Sequence, residues 1–131
     1  MNQSGRYLLD TNIAIALFAG NPIVQEKVRD SDYVAVAPPI IGELCFGAQK
    51  SNKVSENLQK IDILVEQSRV FSCDLETARW YGIIKNQLRR KGRPIPNNDI
   101  WIAAIAMQHN LILVTRDSHF DEIQSLQVES W

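Results

Sequence analysis

At 131 residues and 14.9 kDa, with 45% hydrophobic and 22% charged residues, the chain has the composition of a single folded domain and excludes a mainly disordered one. A formal net charge of −1 excludes a globally basic nucleic-acid binder, so a nucleic acid would have to be met by a local patch. Cys45 and Cys73 lie far apart, outside any CxxC and without metal-type spacing to His109 or His119, and no run reaches the roughly 18 consecutive apolar residues of a membrane span; the expectation is a cytoplasmic protein with two reduced core thiols and no membrane partner.

Along the chain, "MNQSGRYLLDTNIAIALFAG" carries an apolar run broken by Asp10 and Asn12, with no cleavage site of the secretory type. "RYLLD" and then "YVAVA" read as short strands, each followed by residues at helical period: "TNIAIALF" and "PIVQEKVRD" after the first, "PIIGELCFGAQK" and "NLQKIDILVEQS" after the second. "RVFSC" is a weaker strand signal. "DLETARWYGIIKNQLRRKG" reads as a helix with Asp74 at its N-cap and Gly92 at a left-handed C-terminal position, and Pro38, Pro39 and Pro94 punctuate the connections. "DIWIAAIAMQHN" reads as a further helix, "LILVT" as a strand and "LQVES" as a short closing one. Strand and helix in alternation predict an α/β domain on a mostly parallel sheet, with no internal repeat or linker dividing residues 1–131.

The distribution of charge along these elements points to a site. Asp10 is the only charged residue from Tyr7 to Gln25, Glu43 the only one from Tyr33 to Gln49, and Asp99 the only one from Pro94 to Thr115. A carboxylate in so apolar a setting is rarely buried unless it is paired or bound to a metal. Asp10 ends the first strand, Glu43 falls early in the helix after the second, Asp99 opens a helix, and Asp117 follows "LILVT" directly. In an open parallel sheet these positions share the edge formed by the strand C-terminal ends, where ligands bind. Taken singly, Asp10 reads equally well as a helix cap, Asp99 as a charge favouring a helix N-terminus, and Asp117 as a turn residue. Glu43 has no opposite charge at helical spacing; the helical wheel puts Ile41, Leu44, Cys45 and Ala48 on the core stripe and Glu43 on the other side with Ile40, Phe46 and Gly47.

Carboxylates about 4 Å apart repel by roughly 4 kcal/mol per pair at an effective dielectric of 20, so a cluster of four demands a cation or raised pKa values. Mg²⁺ or Mn²⁺ meets that demand with oxygen ligands, and phosphodiester hydrolysis is the chemistry best suited to the arrangement.

"LLDTNI", the glutamate in "PPIIGELCFGA", "GRPIPNNDIWIAAIA" and "LILVTRDSHF", in this order over nearly the whole chain, resemble the PIN-domain ribonucleases, in particular the VapC-like toxins of bacterial toxin–antitoxin pairs. The resemblance implies a three-layer α/β/α sandwich and Mg²⁺- or Mn²⁺-dependent cleavage of single-stranded or looped RNA. It also implies a homodimer and a small cognate antitoxin that blocks the active site. It casts Asp10, Glu43 and Asp99 as the core acidic triad and Asp117 as the more variable fourth acid. Thr11, Asn12 and Thr115 match polar positions that orient the carboxylates or the metal-activated water.

Lys85, Arg89, Arg90, Lys91 and Arg93 crowd the helix end before Asp99, where bases either complement the helix dipole or contact an RNA backbone; Arg116, beside Asp117, meets phosphate or pairs with an acid. Trp80 and Tyr81 precede the basic run, and Trp101 reads as a packing residue rather than a base-stacking one. Dimer contacts in "IAIALFAG" are indistinguishable from core by periodicity, and core is the simpler reading. His119 and Phe120 read as turn and anchoring residues, with no partner that would give His119 a catalytic role. A housekeeping or repair PIN nuclease would use the same chemistry on another substrate. A phosphoacceptor module lacks here the early acidic pair and late lysine it needs, a non-catalytic RNA-binding module would not need four acids, and no GxGxxG supports dinucleotide binding.

Overall fold

The computed structural model describes residues 5–131, so residues 1–4 of the expected 1–131 domain and of the N-terminal stretch lie outside the described residues. Among the described residues five strands form one parallel sheet: β1 (Arg6–Leu9), β2 (Tyr33–Val36), β3 (Arg69–Val70), β4 (Ile112–Val114) and β5 (Val128–Glu129), in spatial order β3-β2-β1-β4-β5. Six helices connect them: α1 (Thr11–Phe18), α2 (Pro22–Asp30), α3 (Pro38–Gln49), α4 (Val54–Glu66), α5 (Leu75–Lys91) and α6 (Asn97–His109), with a 3₁₀ turn at Ser118–Glu122.

The central strand pairs on both sides, Leu8 with Ala35 of β2 and with Leu113 of β4. Strand alternation then sends neighbouring residues to opposite faces. Leu8, Ala35 and Leu113 join the larger core with residues of α3, α4, α5 and α6; Leu9, Val34 and Val114 pack with Ile13, Ala16 and Val24 of α1 and α2. These two cores on a parallel sheet make the expected three-layer sandwich. The weakly signalled runs "RVFSC" and "LQVES" do pair, as two-residue edge strands. Phe71 N extends β3 by donating to Val36 O at 3.1 Å. Edges this short offer little backbone for unwanted pairing.

The helix ends follow local chemistry. Asp10 caps α1 by accepting from Thr11 N, and Asn21 caps α2 by accepting from Ile23 N and Val24 N. Asp74 and Thr77 form a reciprocal capping box on α5, which ends at Gly92 with φ 69°, a left-handed conformation that glycine adopts without steric cost. In α6, Ile100, Ile102, Ala103, Ala104, Ile105 and Ala106 are all buried, so this helix is enclosed almost all round rather than along one stripe.

Four expectations are corrected. α3 buries Ile40, Leu44 and Ala48, while Ile41 and Cys45 are half-buried at the margin; spacing of four along one stripe accommodates either isoleucine, and packing against the sheet selects Ile40. α4 begins at Val54, before the apolar periodicity that marks it. Cys73 is exposed and Cys45 only partly buried, both free, so neither is a core thiol in the full sense. Ile15 of α1 is 55% exposed because it points away from both cores, unlike Ile13, Ala14 and Ala16.

Candidate active site

Asp10, Glu43, Asp99 and Asp117 gather at the C-terminal edge of the sheet, delivered by the end of β1, the second turn of α3, the first turn of α6 and the segment after β4. Asp10 is 5% exposed and hydrogen-bonded at both oxygens: Oδ1 accepts from Thr11 N at 2.9 Å, and Oδ2 accepts from Thr115 Oγ1 at 2.7 Å and Asn12 Nδ2 at 3.4 Å. Glu43 Oε1 accepts from Asn98 Nδ2 at 2.7 Å and from Thr11 Oγ1 at 3.1 Å. Thr115 links two of the acids, donating to Asp10 while its oxygen accepts from Asp117 N at 3.0 Å. Asn12 Oδ1 accepts from Arg116 N at 3.1 Å, which ties the segment after β4 to the start of α1. Thr11, Asn12 and Thr115 thus hydrogen-bond the carboxylates of Asp10 and Glu43.

The electrostatics are those of a crowd of like charges. Burial pushes the Asp10 carboxyl up, the Thr115 and Thr11 hydrogen bonds draw it back, and the charge of Asp117 adds to the rise. Glu43 is raised by burial and by Asp10 and Asp99, against the pull of Thr11 and Asn98. Asp99 is raised by burial and by Asp117 and Asp10, against its bond to His119. Among the described residues no Lys or Arg forms an ion pair with any of the four. A concentration of carboxylate oxygens that no Lys or Arg among the described residues neutralises suits a hard divalent ion, and the residues present fit one.

Two residues of this neighbourhood carry no functional assignment from sequence. Asn98 holds Glu43; its place one residue before Asp99 in "NNDI" was the available signal. His119 Nδ1 lies 3.0 Å from Asp99 Oδ2 and 3.1 Å from Asp117 Oδ1. These contacts, led by the Asp99 bond, raise its pKa. Its partners stand 20 and 2 residues away, and only the long-range one is hidden from a local reading.

The basic residues make separate contacts. Lys91 pairs with Glu122 at 3.4 Å and donates to its carbonyl at 2.7 Å, Arg89 bonds Asn86, and the Arg116 guanidinium donates to Trp131 O at 2.9 Å. Arg90 and Arg93 are exposed. Lys85 reaches Asn97 at the start of α6 at 3.2 Å. Tyr81 and Trp101 stack with ring centroids 4.2 Å apart, both half-buried, while Trp80 packs against the larger core.

Fold and site together define an α/β/α domain with an acidic centre at the sheet edge. The chain belongs to the PIN-domain family, whose description matches residues 7–126. It is 35% identical over 130 residues to Ribonuclease VapC1 of Haemophilus influenzae (strain R2866), covering 95% of this chain and 97% of that protein. It is 32% identical to the tRNA(fMet)-specific endonuclease VapC of Shigella flexneri, covering 96% and 98%. Among solved structures, VapBC-1 from nontypeable Haemophilus influenzae matches with a TM-score of 0.86 at 34% identity, covering 96% of this chain and 98% of that one. VapBC2 from Rickettsia felis, bound to a DNA fragment from its promoter, matches with a TM-score of 0.87 at 29% identity, with the same coverage.

Proposed function

We propose that this protein is a metal-dependent endoribonuclease, the toxin of a toxin–antitoxin pair, acting in the cytoplasm on single-stranded or looped RNA. One observation carries the reading: four acids from distant parts of the chain share one sheet edge without a Lys or Arg partner among the described residues. The ribonuclease and endonuclease names of its relatives support the same activity.

Asp10, Glu43, Asp99 and Asp117 hold the cation, Mg²⁺ or Mn²⁺. When bound, it supplies Lewis-acid stabilisation of charge on the phosphoryl oxygens and lowers the pKa of water. The chain's own residues do the rest. Thr115, Thr11 and Asn12 fix Asp10, so its oxygens need little reorganisation when substrate arrives. Thr11 and Asn98 both occupy Oε1 of Glu43. Oε2 makes no hydrogen bond among the described residues, so it is the Glu43 oxygen that would take the cation or the proton of the attacking water. The water oxygen would bond to phosphorus as the bond to the leaving ribose oxygen breaks, and that oxygen would take up a proton from solvent. Arg89, Arg90, Lys91, Arg93 and Arg116 contribute contacts to the RNA backbone, with Lys91 and Arg116 having to exchange their present partners.

The antitoxin partner follows from the VapBC complexes among the similar structures. An apolar cleft between α1, α3 and α4, lined by Ile15, Phe18, Leu44 and Ile61, has Glu43 in its wall and gives such a protein a route to the centre. A homodimer is the further assembly the family resemblance implies.

The test is incubation of purified protein with a mixture of structured RNAs, with Mg²⁺ or Mn²⁺ and with chelator, alongside Asp99→Asn. Metal-dependent cleavage by the wild type, lost in the folded variant, is expected. Cleavage that persists in chelator or in Asp99→Asn would overturn the proposal.

A further inference from the structure

Among the described residues, a compact gathering of metal-ligating atoms differs from the four-acid set itself. It is Asp99, Asp117 and His119, one ligand atom from each lying within 4.8 Å of the others. His119 is the nitrogen donor in this group. Ligands held about 2.0–2.1 Å from an octahedral ion stand about 3 Å apart when adjacent. His119 Nδ1 lies 3.0 Å from Asp99 Oδ2 and 3.1 Å from Asp117 Oδ1, so the spacings that serve a hydrogen bond also serve one coordination sphere.

The imidazole is placed by the fold. Asp117 Oδ1 accepts from His119 N at 2.9 Å, which sets the two side chains on one turn. The next residue, Phe120, is completely buried and anchors that turn in the larger core. Lys91 holds the far end of the turn through the Glu122 carbonyl at 2.7 Å. His119 is therefore presented to the first turn of α6, where Asp99 stands.

We infer that His119 is a further ligand of the acidic centre, giving its cation a nitrogen donor through Nδ1 beside Asp99 and Asp117, and that this donor favours first-row transition ions over Mg²⁺. Oxygen-only sites suit Mg²⁺ and Mn²⁺ alike, whereas imidazole adds affinity for the transition ions and little for Mg²⁺. The inference rests on the reading of this edge as a divalent-cation centre.

The test uses the whole protein, loaded with Mn²⁺ and examined by pulsed electron paramagnetic resonance for coupling to a directly bound ¹⁴N. Calorimetric titration with Co²⁺ and with Mg²⁺ accompanies it. Wild type and His119→Asn are compared, because the asparagine amide still donates to Asp99 and would rescue a purely positioning role. The expected result is ¹⁴N coupling in the wild type that is absent from His119→Asn, with the Co²⁺ Kd weakened about 10- to 100-fold and the Mg²⁺ Kd changed far less. Bound Mn²⁺ without ¹⁴N coupling, or coupling and Co²⁺ affinity that survive in His119→Asn, would overturn the inference and leave the carboxylate centre standing. Failure of the wild type to bind any of the three ions would instead overturn the centre itself.

Discussion

Asp99→Asn should make the metal-free protein more stable and the metal-loaded protein relatively less stable, so that the order of the two proteins reverses when metal is added. Ligand atoms of Asp99 and Asp117 lie within 4.8 Å of each other. At that separation two unit charges repel by about 3.5 kcal/mol at an effective dielectric of 20 and about 0.9 kcal/mol in bulk water. The side chains are 15% and 35% exposed, so solvent screening holds the value between these limits. The substitution also loses about 0.3–1 kcal/mol of favourable interaction with the N-terminus of α6, while its amide oxygen keeps an acceptor for His119. A net gain of about 1–2 kcal/mol remains, a rise of roughly 3–8 °C for a domain of this size. Metal at about 100 times its Kd adds about 2.7 kcal/mol to the wild type, but only about 0.4 kcal/mol to a variant whose affinity is 100-fold weaker. Thermal unfolding in chelator and across a Mn²⁺ titration measures both effects. A variant less stable than the wild type in chelator, with an unchanged response to metal, would refute the reasoning and make Asp99 a structural charge.

The pH dependence of the metal-free protein follows the same repulsion. Asp10, Glu43 and Asp99 have raised pKa values in the folded state, so their contribution to stability is complete below the ordinary carboxylate range and is lost as pH rises through the folded values. The raised value of His119 acts in the same direction at higher pH. Urea unfolding in chelator should therefore show stability falling from about pH 4 to pH 7, and saturating metal should flatten that slope. Thr115→Val removes the donor to Asp10 and the acceptor for Asp117 N, and should cost about 1–3 kcal/mol in urea unfolding together with a loss of RNA cleavage. Phe120→Ala empties a fully buried position and should cost about 3–5 kcal/mol; metal affinity measured by calorimetry under folded conditions should fall as well, because the turn bearing Asp117 and His119 loses its anchor. Gly92→Ala forces a Cβ into a left-handed conformation and should lower stability by about 1–2 kcal/mol while leaving metal affinity unchanged.

Sequence alone carries the parallel α/β layout and the isolation of the acids because both write one-dimensional signals; the three-layer sandwich comes with the family resemblance. Apolar runs of strand length alternate with helical periods, and each of Asp10, Glu43 and Asp99 interrupts a run otherwise free of charge. What escapes is contact between distant segments. His119 acquires its meaning from Asp99 on another element, and Asn98 from Glu43, 55 residues away. The choice of Ile40 over Ile41 as the inward residue of α3 depends on a rotation of the helix that two adjacent isoleucines leave undetermined. Cys73 is apolar enough to read as core, yet it falls in the connection between β3 and α5, where it is exposed. The functions of the basic cluster and of the RNA it would meet belong to a complex, and a single chain encodes only their sign.

The pairing of β1 with β4 has a consequence for timing. Leu8 and Leu113 sit side by side, and Asp10 receives its hydroxyl partner from Thr115, 105 residues away. Contacts of such separation form slowly, because a long loop must be closed before any of them is rewarded. Helices α5 and α6, by contrast, are built from local bonds and can form in microseconds. During refolding, helical signal should thus recover well before metal binding does. Until the last parallel strand docks, the four acids belong to unconnected stretches of chain, and the protein is chemically silent.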